Sequence, residues 1–167
     1  MAEPQTASAP AAPARPKPTG GPGARIRNAW DRLSTKPGGR WLFSRLVDRM
    51  APYTGSIRAS VEELGPGHAR ISLRERRALR NPFRSVHAVA LMNLAEEASG
   101  LATLYALDDG VRGIITKLEC EYVKKARGKI TAVCDTMPPT EVPDEPLPHV
   151  AEVTLSDEEG NVVAMAK

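Results

Sequence analysis

The chain has 167 residues, of which 41% are hydrophobic, 26% charged and only 4% aromatic, enough for one ordinary domain but not two. Collagen-like, disulfide-built and wholly disordered proteins are excluded. The net charge of +3 hides an asymmetry: residues 1–50 hold nine Lys or Arg against three Asp or Glu, and 51–167 hold fourteen against seventeen. The basic excess thus belongs to the leader. With only Phe83, Tyr105 and Tyr122 as aromatics beyond Tyr53, no nucleic-acid partner is expected. Cys120 and Cys134 have no cluster of His or Asp ligands near them, so neither a metal nor another cofactor is expected, and a reducing compartment is the simplest reading. The N-terminus has no basic start followed by an apolar run, which predicts a cytoplasmic protein.

Residues 1–24 contain six prolines among Ala, Gly, Ser and Thr, a composition that predicts a disordered tail. Residues 25–51 predict two basic amphipathic helices. Ile26, Trp30 and Leu33 recur at helical spacing, as do Leu42, Leu46 and Met50, with Pro37-Gly38-Gly39 between the two runs. Two readings are open for them: a pair of helices capping the domain, or a weak membrane-surface contact.

Residues 52–167 read as the domain proper. Ile57, Ala59 and Val61 alternate, Gly65-Pro66-Gly67 turns the chain, and Ala69, Ile71 and Leu73 alternate again, which predicts a β-hairpin. Further strands are expected over 115–123, 130–135, 150–155 and from Val162, with turns at Arg127-Gly128 and Glu159-Gly160-Asn161. The whole predicts an α+β domain in which about six short strands meander about one helix.

That helix, expected from Val86 to Leu107, is apolar around most of its circumference and so should be buried. Its polar residues Asn93, Glu96, Glu97 and Gly100 stand at i, i+3, i+4 and i+7, on one stripe. Acids at its centre argue for a soluble core helix over a membrane span.

The run from Asn81 through Pro82-Phe83-Arg84-Ser85-Val86-His87 to Leu94-Ala95-Glu96 resembles the signature of phenylacetyl-CoA-thioesterase-like hotdog enzymes. In that signature an Asn precedes a helix-opening His-Gly-Gly, and a Leu-Ala-acid triplet follows. The wider stretch from Gly39, including Pro52 to Ile57 and Glu121 to Gly128, is similar to a poorly characterised hotdog branch catalogued as a domain of unknown function. The resemblance implies a hotdog fold, an antiparallel sheet of about six strands around one long central helix, here preceded by two short helices. It implies an acyl-CoA thioesterase, with Glu96 as acid or base, His87 and the amides of Ala88 and Val89 as the oxyanion site, and Asn81 orienting the nucleophile or the carbonyl. Ala88-Val89 departs from Gly-Gly. Glu96 lies nine residues beyond His87, about 13 Å along a helix, so the implied chemistry requires a homodimer that pairs them across a two-fold axis; a tetramer is also open.

Lys124, Lys125, Arg127 and Arg84 are the candidates for CoA phosphates, against the plainer reading of solvated charged loops. Glu96 as a carboxylate held at a subunit seam, Glu97 as a structural residue and His87 as a helix cap are the corresponding plain readings. His68 and His149 read as bystanders, and the cysteines as small buried hydrophobes. Two further functions stay open: a non-catalytic acyl-CoA or lipid-binding hotdog module, and a ligand-sensing regulator.

Overall fold

A computed structural model of the protein describes residues 20–108, 111–139 and 145–167. Helix α1 spans Pro22–Leu33 and helix α2 spans Gly39–Met50. The first begins earlier than the sequence pattern suggests, because extended Gly21 leads into Pro22 in the first turn, where the missing N–H and fixed φ of proline suit a helix start. Residues 22–24 therefore leave the expected tail, and Ala24 is buried. Residues 1–19 of that tail lie outside the described residues. Between the helices, Gly38 takes a left-handed φ of 72°, and a Cβ on Gly39 would sit 1.7 Å from the Leu33 carbonyl oxygen. Only glycine allows so tight a corner.

The corner folds α1 against α2, and Trp30 meets Phe43 edge to face at 5.0 Å between centroids, a geometry aromatic pairs favour. Phe43, Ser44 and Val47 form the inner face of α2. Ser44 Oγ accepts the Val61 amide at 2.9 Å and donates to the Arg40 carbonyl at 2.8 Å, which pins α2 to the first strand. Arg27 of α1 reaches the far end of the central helix, donating to the carbonyls of Tyr105 at 2.9 Å and Leu107 at 2.7 Å.

The strands are β1 Ser60–Gly65, β2 His68–Arg74, β3 Cys120–Tyr122, β4 Lys129–Asp135, β5 Val153–Ser156 and β6 Val162–Ala166. They form one six-stranded sheet in the order β1-β2-β4-β5-β6-β3, every pairing antiparallel. The expected meander is thus broken once: β3 crosses to the far edge beside β6. Helix α3, Ala88–Ala106, occupies that crossover and packs against β2, β4, β1 and β5. The register puts Val61, Ile71, Ala132, Leu155 and Ala164 in one row across five strands, all buried. Leu91, Leu94, Ala95, Ala98 and Leu101 of the helix are buried with them. Alanines on both surfaces let the helix approach closely, and each fully buried leucine contributes about 1.5–3 kcal/mol.

Two expected strands are altered. Residues 54–57 form a 3₁₀ turn, so the strand expected from Ser56 starts only at Ser60. Pro52 and Gly55 break the extended run, and Gly55 lies so close to α2 that a Cβ would fall 2.6 Å from the Asp48 Cα. Of the strand expected over 115–123, Cys120–Tyr122 forms the ladder with β6, extended at its ends by backbone hydrogen bonds of Glu119 with Lys167 and of Val123 with Val163. Ile114, Ile115 and Leu118 are exposed, so the alternation there has nothing among the described residues to bury against.

Candidate active site

Helix α3 opens on His87, which has extended backbone and caps the helix with its own ring: Nδ1 accepts the Val89 amide proton at 3.2 Å. A neutral ring in that role carries its proton on Nε2. Among the described residues Nε2 has no partner. The His87 carbonyl takes the amides of Ala90 at 2.9 Å and Leu91 at 3.2 Å. The Ala88 carbonyl accepts from the Tyr122 hydroxyl at 3.1 Å, so β3 is fastened to the helix start. Burial pushes the Tyr122 phenol up to about 12, so it stays a donor well into alkaline solution.

A cavity of about 180 Å³ lies at this helix start, between the 3₁₀ turn, residues 78–80 and α3. Its walls include Tyr53, Arg80, His87, Val89 and Asn93. Val89 is 54% exposed, so the side chain that replaces the expected glycine stands in the opening. Asn93 is buried, its amide donating to the Tyr53 carbonyl at 3.3 Å. Asn81 is not in the wall. Its Oδ1 accepts the amides of Phe83 at 3.0 Å and Ser85 at 3.2 Å, and its Nδ2 meets Ser85 Oγ at 2.9 Å. The side chain is thus committed to shaping its own loop.

Glu96 stands outside this cavity, two to three turns along the helix. With Met92, Ser99, Gly100 and Thr103 it forms the half-exposed stripe that the sheet leaves uncovered. Thr54 of the 3₁₀ turn donates to Glu96 Oε2 at 3.4 Å, and no cation pairs with the carboxylate among the described residues. Burial raises its pKa, and the Thr54 hydrogen bond opposes that rise.

The expected polar stripe divides at this point: Glu96 and Gly100 are partly open, whereas Asn93 and Glu97 are buried. Glu97 is 4% exposed and faces α2, where Arg45 and Asp48 form an ion pair at 2.8 Å. Burial first, then the charges of Asp48 and Glu96, push Glu97 from 4.5 up to about 8, against a smaller opposing pull from Arg45. It is therefore a neutral acid at pH 7, and its Oε2 has no hydrogen-bond partner among the described residues.

The expected phosphate cations separate. Lys124 pairs with Asp157 at 2.7 Å, while Lys125 lies over the exposed Phe83 ring at 5.8 Å, beside Arg84, whose backbone is left-handed at φ 56°. Arg127 is exposed. No group of three metal-ligating side chains occurs among the described residues. His68 bonds Asp135 and His149 bonds Thr136, and neither histidine lines the cavity at the start of α3. Tyr53, Thr54 and Tyr122 received no role from the sequence; the hint was that the stretches 52–57 and 121–128 carried part of the resemblance.

An antiparallel sheet curled around one long helix defines a hotdog-fold protein, and solved structures of that fold share this arrangement. Residues 39–167 match the family described as a domain of unknown function, DUF4442, and the chain belongs to that family. A structural-genomics target is 30% identical, with 84% of this chain and 92% of that one covered and a TM-score of 0.68. A Pseudomonas aeruginosa protein described as of unknown function and a probable thioesterase is 21% identical over 74% of this chain and 87% of its own, with a TM-score of 0.62. The Escherichia coli PaaI protein of the phenylacetic acid degradation operon is 13% identical over 76% and 88%, with a TM-score of 0.58. Comparison with curated proteins returned no match.

Proposed function

We propose that this protein hydrolyses acyl-CoA or related thioesters at a site completed by a second copy of the chain. The observation that carries the reading is Glu96: a partly desolvated carboxylate on the open stripe of α3, with the Thr54 hydroxyl as partner and no cation to neutralise it. Such a group is suited to general base catalysis. Glu96 takes a proton from water as the oxygen attacks the thioester carbonyl, and the carbon–sulfur bond breaks with the proton passing to the leaving thiolate. The developing oxyanion requires donors. His87 Nε2–H and the Ala88 amide at the helix start have that character, and the positive end of the helix dipole adds to it.

The distance along α3 between His87 and Glu96 makes the homodimer part of the reading, with Glu96 of one copy facing His87 of the other. The unpaired edge of β3 and the exposed Ile114, Ile115 and Leu118 are apolar surface for that partner to cover. Arg84, Lys125 and Arg127 are the available cations for CoA phosphates. Lys124 would first have to leave Asp157. Asn81 serves by holding the loop before the helix. The names of the P. aeruginosa and PaaI structures lend support at the level of the fold.

The test is CoA release from a panel of acyl-CoA substrates by the full chain, followed chromatographically, with light scattering for its mass. Turnover on at least one chain length that disappears in Glu96→Gln is expected. No turnover on any, or full activity in Glu96→Gln, refutes the assignment. A second reading, a non-catalytic acyl-CoA-binding module, is favoured by Val89 standing where close approach of the thioester calls for glycine. It predicts saturable binding of acyl-CoA without product.

A further inference from the structure

We propose that the outer face of α2, with the turn before it and the residues after it, docks this protein on an anionic lipid surface. The helix needs only Phe43, Ser44 and Val47 to bury its inner side, yet it is also apolar on the other. Leu42, Leu46 and Met50 follow one another at four-residue spacing and are all exposed, and exposed Tyr53 continues the line. Trp41 stands beside them, 66% exposed, whereas Trp30 is 7% exposed. An exposed aliphatic row flanked by Trp and Tyr suits the boundary between lipid headgroups and acyl chains, where an aromatic ring buries its body and keeps its polar tip wet.

Charge decides which occupant fits. From Lys36 to Arg58 there are five basic residues and one acid. That acid, Asp48, is largely buried and tied to Arg45, while Lys36, Arg40, Arg49 and Arg58 are exposed. A two-fold contact with another copy would set this basic patch against itself, which is repulsive. An anionic bilayer supplies the opposite charge together with an apolar layer for the row. The contact lies along the surface, because no helix among the described residues is long and apolar enough to cross a membrane. Tyr53 belongs both to this face and to the wall of the cavity at the start of α3, so a docked molecule holds that opening near the lipid.

The proposal does not depend on catalysis and is tested without it. The full chain is mixed with vesicles of phosphatidylcholine alone or of phosphatidylcholine with phosphatidylglycerol, and both sedimentation and tryptophan emission are read. Binding to the anionic vesicles, a blue shift lost in Trp41→Phe and loss of binding in the Leu42→Glu/Leu46→Glu variant are expected. Arg40→Gln/Arg49→Gln should weaken binding about fivefold per cation removed, and added salt should do likewise. All four substituted aliphatic and basic side chains are exposed, and an unchanged melting temperature in the arginine variant keeps the test independent of folding. Absence of binding to anionic vesicles, or binding unchanged by both double variants, overturns the proposal. So does a lowered oligomeric mass in the Leu42→Glu/Leu46→Glu variant by light scattering, which would assign the face to another copy.

Discussion

Thr54 and Glu96, 42 residues apart in sequence, meet at 3.4 Å, the hydroxyl donating to the carboxylate. The contact joins the 3₁₀ turn after α2 to the open stripe of α3, and it favours the charged form of an acid that burial pushes the other way. Thr54→Val should therefore raise the Glu96 pKa further. Because the base works only when deprotonated, the acid limb of the kcat/KM profile on an acyl-CoA should move to higher pH. Thr54→Ser should restore it, whereas Glu96→Gln should lose about 10²–10⁴-fold at every pH.

Glu97 makes a separate prediction about stability. Its carboxyl is protonated in the folded chain up to about pH 8 but only to about 4.5 when exposed, so between those values the native state binds the extra proton. Stability should then fall as pH rises through this window, by an amount on the order of 5 kcal/mol. Denaturant melts at several pH values should show the decline, and Glu97→Gln should remove it and be more stable than the parent above pH 8. A parent whose melting midpoint is flat across the window would refute this account of Glu97.

His87 combines two roles that substitutions can part. As an N-cap its loss to alanine should cost about 0.5–2 kcal/mol. Serine is a good cap without a ring donor, so His87→Ser should keep the melting temperature close to that of the parent while lowering kcat by about 10²–10³-fold if the ring serves the oxyanion. Equal activity in parent and His87→Ser would leave the residue as a cap alone.

Val89→Gly restores the glycine that the resemblance leads one to expect and removes a side chain from the cavity mouth. It should cost about 0.5–1 kcal/mol in the first turn and lower KM for acyl-CoA, measured by steady-state kinetics. A higher KM would mean that Val89 grips the substrate.

Helix α3 was legible because its apolar run is long and its caps are local: His87 at the start and Leu107 at the end are set within a turn. The sheet was legible strand by strand but not in order, since nothing in Cys120-Glu121-Tyr122 states that its partner is β6. The alternation from Ile115 onward overstated β3 because exposed strand-like residues and buried ones look alike in sequence. Glu96 and Glu97 shared one stripe in the sequence, and only the docking of α2 by Asp48 and Arg45 separates an open acid from a sealed one. Tyr53, Thr54 and Tyr122 act through contacts spanning 34–42 residues, and no local pattern reports those.

Arg27 lies outside the stretch shared with DUF4442, yet its guanidinium closes the last turn of the helix on which the whole sheet is wound. A shortened chain beginning at Gly39 would keep every strand and lose this clasp, together with the indole of Trp30 against Phe43. The end of α3 would then fray into water, and Phe43 would lose its cover. The leader is in this sense a keystone set by the sequence before the arch it holds.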